Sequence, residues 1–179
     1  SAWDASVEAN PRGSYLQLTG SARVKAVNGW TTRRLLDPAA PRVGAQVLLR
    51  RPGPLPWAFA YASRGPVLDA WDAAGIDRLT ALAREELRGG TRVSHLRIDP
   101  EVEQGAGPDD GDAVTNALRA AGWRSAPPIQ PVSTRAIDLT ADEDALWGDL
   151  RKKWRQYVNK ARSGGVRVVE AGPERLGEF

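Results

Sequence analysis

Residues 43–62 read Val43-Gly-Ala-Gln-Val-Leu-Leu-Arg50, then Arg51-Pro-Gly-Pro-Leu-Pro56, then Trp57-Ala-Phe-Ala-Tyr-Ala62. Val47, Leu48 and Leu49 make the first run an apolar strand. Trp57, Phe59 and Tyr61 alternate with alanines, so the last run is a strand with one aromatic and one small-residue face. The three prolines between them form a rigid turn, because proline cannot donate to a ladder. Upstream, Trp30 to Leu36 reads as a further strand, joined through the turn Asp37-Pro-Ala-Ala-Pro41. Three strands with tight connections predict an antiparallel meander.

The period changes after Arg64-Gly-Pro66. Ile76, Leu79, Leu82, Ala83 and Leu87 recur at three and four residues, which predicts a helix ended by Gly89-Gly90. Val93 to Ile98 is a fourth strand, stopped by Asp99-Pro100. Gly105 to Gly111 reads as a mobile surface loop, and Ala113 to Ala121 as a helix. Trp123 to Leu139 reads as extended, despite Pro127, Pro128 and Pro131. On the N-terminal side, Tyr15 to Asn28 is expected to be a short helix capped by Thr19 or Ser21. Thr140-Ala-Asp-Glu143 has the form of a capping box. It opens a long helix to Ser163 with the apolar stripe Leu146, Leu150, Trp154, Val158 and Ala161. Val166 to Val169 follows as a strand, and Pro173 starts another helix. This order predicts an α+β, mixed α/β fold in which helices flank one twisted, mostly antiparallel sheet.

The chain has 179 residues, no cysteine and one histidine, His95. Disulfides, thiol nucleophiles and any site needing two imidazoles are therefore excluded. No apolar run reaches the roughly 20 residues of a membrane span. Ser1-Ala-Trp-Asp4 does not open like a signal peptide, which suggests a cytoplasmic protein. Methionine is absent, including at position 1, so the sequence is expected not to be a complete translation product. No GxxxxGK[ST] and no GxGxxG after a strand occurs, which removes the common nucleotide loops. Asp109-Asp110 lies in a glycine-rich loop unsuited to hold paired carboxylates for hydrolysis.

Four places can carry chemistry. The segment 151–162 holds Arg151, Lys152, Lys153, Arg155, Lys160 and Arg162 with no acid, interleaved with Trp154 and Tyr157. Such a surface binds phosphates, since each neutralised phosphate releases counterions. The same cations could also simply complement the C-terminal half of a helix dipole, with Trp154 packed in the core. Arg64-Gly65-Pro66 permits close backbone approach to a ligand, or is a bare turn. Asp99, just past a strand end, is either a functional carboxylate or a turn former. Lys25 sits on the first helix away from its apolar stripe. His95 is read as a packed or surface histidine.

Several stretches in order resemble the Fem (FemABX) family of non-ribosomal peptidyltransferases. Tyr15-Leu-Gln17, Lys25 and Gly29-Trp30 are similar to the family's opening helix. Ala60-Tyr-Ala-Ser-Arg-Gly-Pro-Val67 is similar to its "prRGPv" segment and Leu96-Arg-Ile-Asp-Pro100 to its "RIDP" strand end. Gly122-Trp123, Ile129-Gln-Pro-Val-Ser-Thr134 and Ile137-Asp-Leu139 match the "GF…QP…T…iDL" stretch. Lys153 to Val166 resembles the helix "K.R..i.kA.k.gv".

The resemblance implies two acyltransferase-like (GNAT-like) domains. Family members use aminoacyl-tRNA to add an amino acid to the stem-peptide amino group of a peptidoglycan precursor, without a cofactor or metal. They are about twice this length. On that basis residues 1–139 form the first GNAT-like domain, 140–164 a long basic linking helix and 165–179 the beginning of a second, similar domain. The chain alone is then expected to be inactive, and a monomer, with no catalytic residue assignable. By position, Lys25 is expected on the precursor's diphosphate and Asp99 near the acceptor, with Arg64 and Gly65 also binding substrate. Lys152, Lys153, Arg155, Lys160 and Arg162 are expected on phosphate or tRNA. The precursor is either UDP-linked or lipid-linked, the latter bringing peripheral contact with the inner membrane face. Two other readings are an acetyl-CoA-dependent N-acetyltransferase, whose pyrophosphate turn has no counterpart here, and a non-enzymatic RNA-binding module.

Overall fold

The hairpin of residues 43–62 forms the middle of the sheet in the computed structural model, which describes all residues except 90–91, 104, 106–109, 135–136 and 179, and all described side chains except those of 40–42, 176 and 178. In chain order the elements are α1 (Ala2–Glu8), a 3-10 turn (Tyr15–Gln17), α2 (Thr19–Val27), β1 (Thr31–Asp37), β2 (Ala40–Arg50), β3 (Trp57–Ala62), α3 (Ala73–Arg88), β4 (Arg92–Ile98), α4 (Gly111–Ala120), α5 (Glu143–Asp149), α6 (Lys152–Ser163) and a final 3-10 helix (Pro173–Glu178). They fall into two compact units, Ser1–Val132 and Ser133–Phe179.

The first unit holds a four-stranded mixed sheet in the order β1-β2-β3-β4. The first two pairings are antiparallel, as the meander requires. The third is parallel, with Phe59 opposite His95 and Tyr61 opposite Arg97. A parallel pair needs a long crossover, which α3 supplies. The alternation in β3 sets both faces. Ala60 and Ala62 meet Leu82, Ala83 and Leu87 of α3, over Leu35, Val47 and Leu49. The alanines are small enough for the helix to lie close. Ile76 and Leu79, earlier on the same helix stripe, pack instead with Leu68, Trp71 and Val114 of α4. The other face carries Phe59 and Tyr61 and is partly covered by the N-terminal segment.

That N-terminal cover is held by a buried amide. Gln17 is 0% exposed. Its side-chain NH2 donates to the carbonyls of Ser63 (2.7 Å) and Gln46 (3.3 Å), while its oxygen accepts from the Gln46 N–H (2.8 Å). The indole of Trp3 on α1 donates to the Gln17 carbonyl at 2.6 Å. One side chain thus joins the N-terminal segment to β2 and to the chain leaving β3, with every polar atom used.

Several expectations are corrected. Residues 15–28 are not one helix: Leu18 is extended (ψ 154°), and neither Thr19 nor Ser21 caps α2. The Thr19 hydroxyl instead donates to Asp4. α1 was not anticipated; Ser1 and Asp4 form its capping box. β2 begins at Ala40, so the turn is shorter than read. Residues 41–43 fall between the paired positions Asp37–Ala40 and Leu36–Gly44, an irregularity that leaves Pro41 out of the ladder. The stretch 123–139 contains no strand among its described residues. Its prolines remove the donors that a ladder would use. Most of the 105–111 loop, including Asp109, lies outside the described residues, as does Gly90.

In the second unit the expected long helix is two. Leu150 (ψ 135°) and Arg151 (ψ 140°) are extended and separate α5 from α6. Gly148 and Asp149, poor helix formers, precede the break. The cap of α5 is Asp142, which accepts from the Ala145 N–H at 2.8 Å, and the Thr140 hydroxyl and N–H go to Asp138. Those two bonds hold the Asp138 carboxyl below its ordinary value. Val166 to Val169 is not a strand; its valines are exposed and no described strand pairs with it. Pro173 opens a 3-10 helix.

Two outcomes follow. Gln17→Leu leaves a buried N–H and two carbonyls unpaired and should lower stability by about 2–4 kcal/mol in urea unfolding. The Thr19 N–H (2.7 Å) and hydroxyl (2.8 Å) hold the Asp4 carboxyl far below its ordinary 3.8. Its contribution is present above that value and lost as the pH falls below it. Asp4→Ala should therefore flatten the acid limb of a stability-against-pH curve.

Candidate functional site

Because β3 and β4 run parallel, their C-terminal ends lie side by side, with Ala62 opposite Ile98. The chain leaving β3 is Ser63-Arg64-Gly65-Pro66, and the chain leaving β4 is Asp99-Pro100-Glu101. Crevices outside the carboxyl ends of parallel strands are common ligand sites. Here the two exits are tied together. The Asp99 N–H donates to the Gly65 carbonyl at 3.0 Å. The Tyr61 hydroxyl donates to Asp99 Oδ2 at 3.2 Å. Arg64 Nε sits 3.4 Å from Glu101 Oε1, and its guanidinium also donates to the Pro131 carbonyl at 2.9 Å.

Arg64 has φ 47°, the left-handed region, and its side chain is only 17% exposed. Unusual backbone of this kind concentrates at functional positions. The guanidinium braces the junction from inside. Gly65 is needed for a steric reason: a Cβ there would lie 2.5–2.8 Å from the Gln17 amide group.

Asp99 also lines a groove of about 820 Å3 along the outer edge of β4. Leu87, Val93, Leu96 and Ile98 give it an apolar lining, and Arg84, Arg88, Arg97, Arg119 and Arg124 give it positive charge. Such a surface suits a ligand with both apolar and anionic parts. Behind Asp99 lies an aromatic strip. Phe59 stacks on Tyr61 at 6.1 Å, contacts His95 at 5.0 Å and meets the edge of Trp30 at 6.1 Å. Arg50 covers Trp30 at 5.6 Å.

The structure thus brings together Arg64, Gly65 and Asp99, which are up to 35 positions apart in sequence. Lys25, exposed on the last turn of α2, makes no described contact with them. Its carbonyl accepts from the Trp30 N–H at 3.3 Å, at the far end of the aromatic strip. Tyr61 was missed as a site residue, although its place three residues before Arg64 on the aromatic face was the available signal. His95 is exposed rather than packed in the core.

The basic segment belongs to the second unit. Arg155 donates to the Gly148 carbonyl at 2.6 Å and to that of Trp147 at 3.4 Å, capping α5. Arg162 lies 5.4 Å over the Trp147 ring. These two cations hold α5 against α6. Lys152, Lys153 and Lys160 are exposed, as is Trp154 at 59%, which corrects its expected place in the core. Lys152 and Lys153 occupy the first turn of α6, the positive end of its dipole. Dipole complementation therefore does not explain them.

The sequence model of the FemAB family matches residues 2–179. The chain belongs to the FemAB family. It is 32% identical over 189 aligned residues to the lipid II:glycine glycyltransferase of Staphylococcus aureus strain MRSA252, covering 98% of this chain and 43% of that enzyme. The same-named enzyme of strain USA300 is 31% identical with the same coverage. A crystal structure of FemX superposes with a TM-score of 0.75 at 27% identity, over 99% of this chain and 45% of that one. The FemAB chain described here thus spans less than half the length of these relatives. Its mixed sheet with flanking helices is the fold expected for a GNAT-like domain.

Burial raises the Tyr61 phenol above its ordinary 10.0, a hydrogen bond from Gln130 opposes this, and the Asp99 charge adds to it. The unfolded phenol therefore ionises first as pH climbs. This stabilisation is present below 10.0 and lost as the pH rises toward the folded value. Stability measured through that range should fall less steeply in Tyr61→Phe.

Proposed function

We propose that this chain is part of an aminoacyltransferase that builds peptidoglycan cross-bridges, moving glycine from aminoacyl-tRNA to a stem-peptide amino group of a lipid-linked precursor. The observation that carries the reading is the identity along 98% of the chain to enzymes named for glycyl transfer on lipid II. The Asp99 junction beside an arginine-lined groove supports it, because a carboxylate suits an amine and guanidinium groups suit a carboxylate or phosphate.

In the proposed reaction the acceptor nitrogen attacks the ester carbonyl carbon of the charged tRNA. A C–N bond forms, the C–O bond to the ribose breaks, and the amine proton ends on the released ribose hydroxyl. The ester supplies the activation, so the residues' task is to bind and orient, and no cofactor is invoked. Asp99 accepts a hydrogen bond from the acceptor amine. Arg64 and Gly65 shape the acceptor site from behind by fixing the Asp99 backbone. Lys25 takes the precursor's diphosphate. Lys152, Lys153 and Lys160 meet tRNA phosphates, with Arg155 and Arg162 keeping α6 in place.

The transfer as a whole is proposed for a protein of the relatives' length. Residues 1–139 are its first GNAT-like domain, 140–164 the basic helical link and 165–179 the opening of the second domain. Among the described residues no helix is long and apolar enough to cross a membrane. A cytoplasmic monomer meeting lipid II peripherally at the inner membrane face fits the proposed substrates.

The tRNA arm is tested by Lys152→Glu/Lys153→Glu/Lys160→Glu, which spares the two arginines that hold the helices. tRNA affinity should fall, and the slope of log affinity against log salt should shrink by about 2–3. An unchanged slope would remove α6 from the RNA site. RNA binding that persists while a UDP-linked muramyl pentapeptide fails to bind would favour an RNA-binding module instead.

A further inference from the structure

Tyr61 is 5% exposed and lies outside the lining of the groove, whereas Asp99 lines it. The tyrosine therefore reaches the carboxylate from the protein side. Its ring is fixed by the stack on Phe59 (6.1 Å, 17° between planes) and by its place in β3 between two paired strands. A phenylalanine would fill the same space. A hydroxyl in so buried a position costs free energy unless it is used, and its use here is the 3.2 Å bond to Asp99 Oδ2. The Asp99 backbone is pinned separately, through its N–H to the Gly65 carbonyl.

Resting on the reading of Asp99 as the acceptor contact, we propose that Tyr61 is a positioning residue whose hydroxyl holds one oxygen of the Asp99 carboxylate so that the other faces the acceptor amine in the groove. Fixing the backbone alone leaves the carboxylate free to rotate about its own bonds. The Tyr61 bond removes that freedom before the amine arrives. Side chains that must act within a few tenths of an ångström of a set geometry need such a supporting contact. A phenol keeps its proton at neutral pH, and burial pushes that of Tyr61 further up, so it remains a donor while the site works.

The test is a double-mutant cycle on this chain with a lysine-containing UDP-linked muramyl pentapeptide as the probe. Asp99→Asn and Tyr61→Phe should each weaken binding by about ten-fold, and the double variant should lose little more than either single one. In parallel, the 13C resonance of the Tyr61 ring carbon bearing oxygen should titrate at lower pH in Asp99→Asn than in the wild type. The shift reports that the phenol and the carboxylate are in contact; a purely structural tyrosine would show it without the non-additivity. If Asp99→Asn weakens binding while Tyr61→Phe binds like the wild type, the positioning role is wrong and the reading of Asp99 stands. If the wild type does not bind, or binds no better than Asp99→Asn, the reading itself fails and the positioning role goes with it.

Discussion

The buried side chain of Gln17 is the constraint on which the site hangs. Its amide reaches the carbonyl of Ser63 and both backbone polar groups of Gln46. It therefore decides where the chain goes after β3. Packed against that amide, residue 65 has no room for a Cβ. The Gly65 carbonyl in turn accepts from Asp99, the first residue after β4. A path of five residues thus links a 3-10 turn near the N-terminus to a carboxylate at the far end of the sheet. Each step is a bond or an exclusion, and none relies on the slow averaging of hydrophobic contacts. Hydrophobic burial by α3 supplies most of the sheet's stability, but it is non-directional and would tolerate small shifts of these loops. The polar path is what gives them one position.

How much of this could be read beforehand depends on the distance over which each signal acts. The β2–β3 hairpin was legible because its turn chemistry and both strand patterns sit within twenty residues. α3 was legible because its stripe repeats four times and glycine ends it. Gln17 was not, since its partners lie 29 and 46 residues away and a glutamine carries no periodic signal. The parallel sense of β4 was not read either, although the helix between β3 and β4 is the crossover that a parallel pair needs. Without the parallel pairing, nothing places Asp99 next to Gly65, although both were picked as candidates. The split between α5 and α6 escaped because Leu146, Leu150, Trp154 and Val158 keep helical spacing straight through it. Periodicity records which face is apolar and is blind to a two-residue extended break.

The cations of the second unit separate by the same logic into those with structural work and those without. Arg155 and Arg162 are arginines, whose planar, multiply donating groups can cap carbonyls and lie over a ring at once. Arg155 does the first and Arg162 the second, both against α5. Lys152 and Lys153 are compact charges at the positive end of a helix, where each costs a few tenths of a kcal/mol or more. Lys153 lies over the exposed Tyr157 ring one turn on, at 5.6 Å, and Lys152 has no such partner among the described contacts, so neither joins α6 to the rest of the fold. Their placement becomes favourable when an anion is brought to that end, since the lysines and the unpaired N–H groups of the first turn then attract the same charge. Net charge, only +3, has no part in this. The attraction follows from which end of α6 the lysines occupy, and that end exists only because the helix breaks at Leu150 and Arg151.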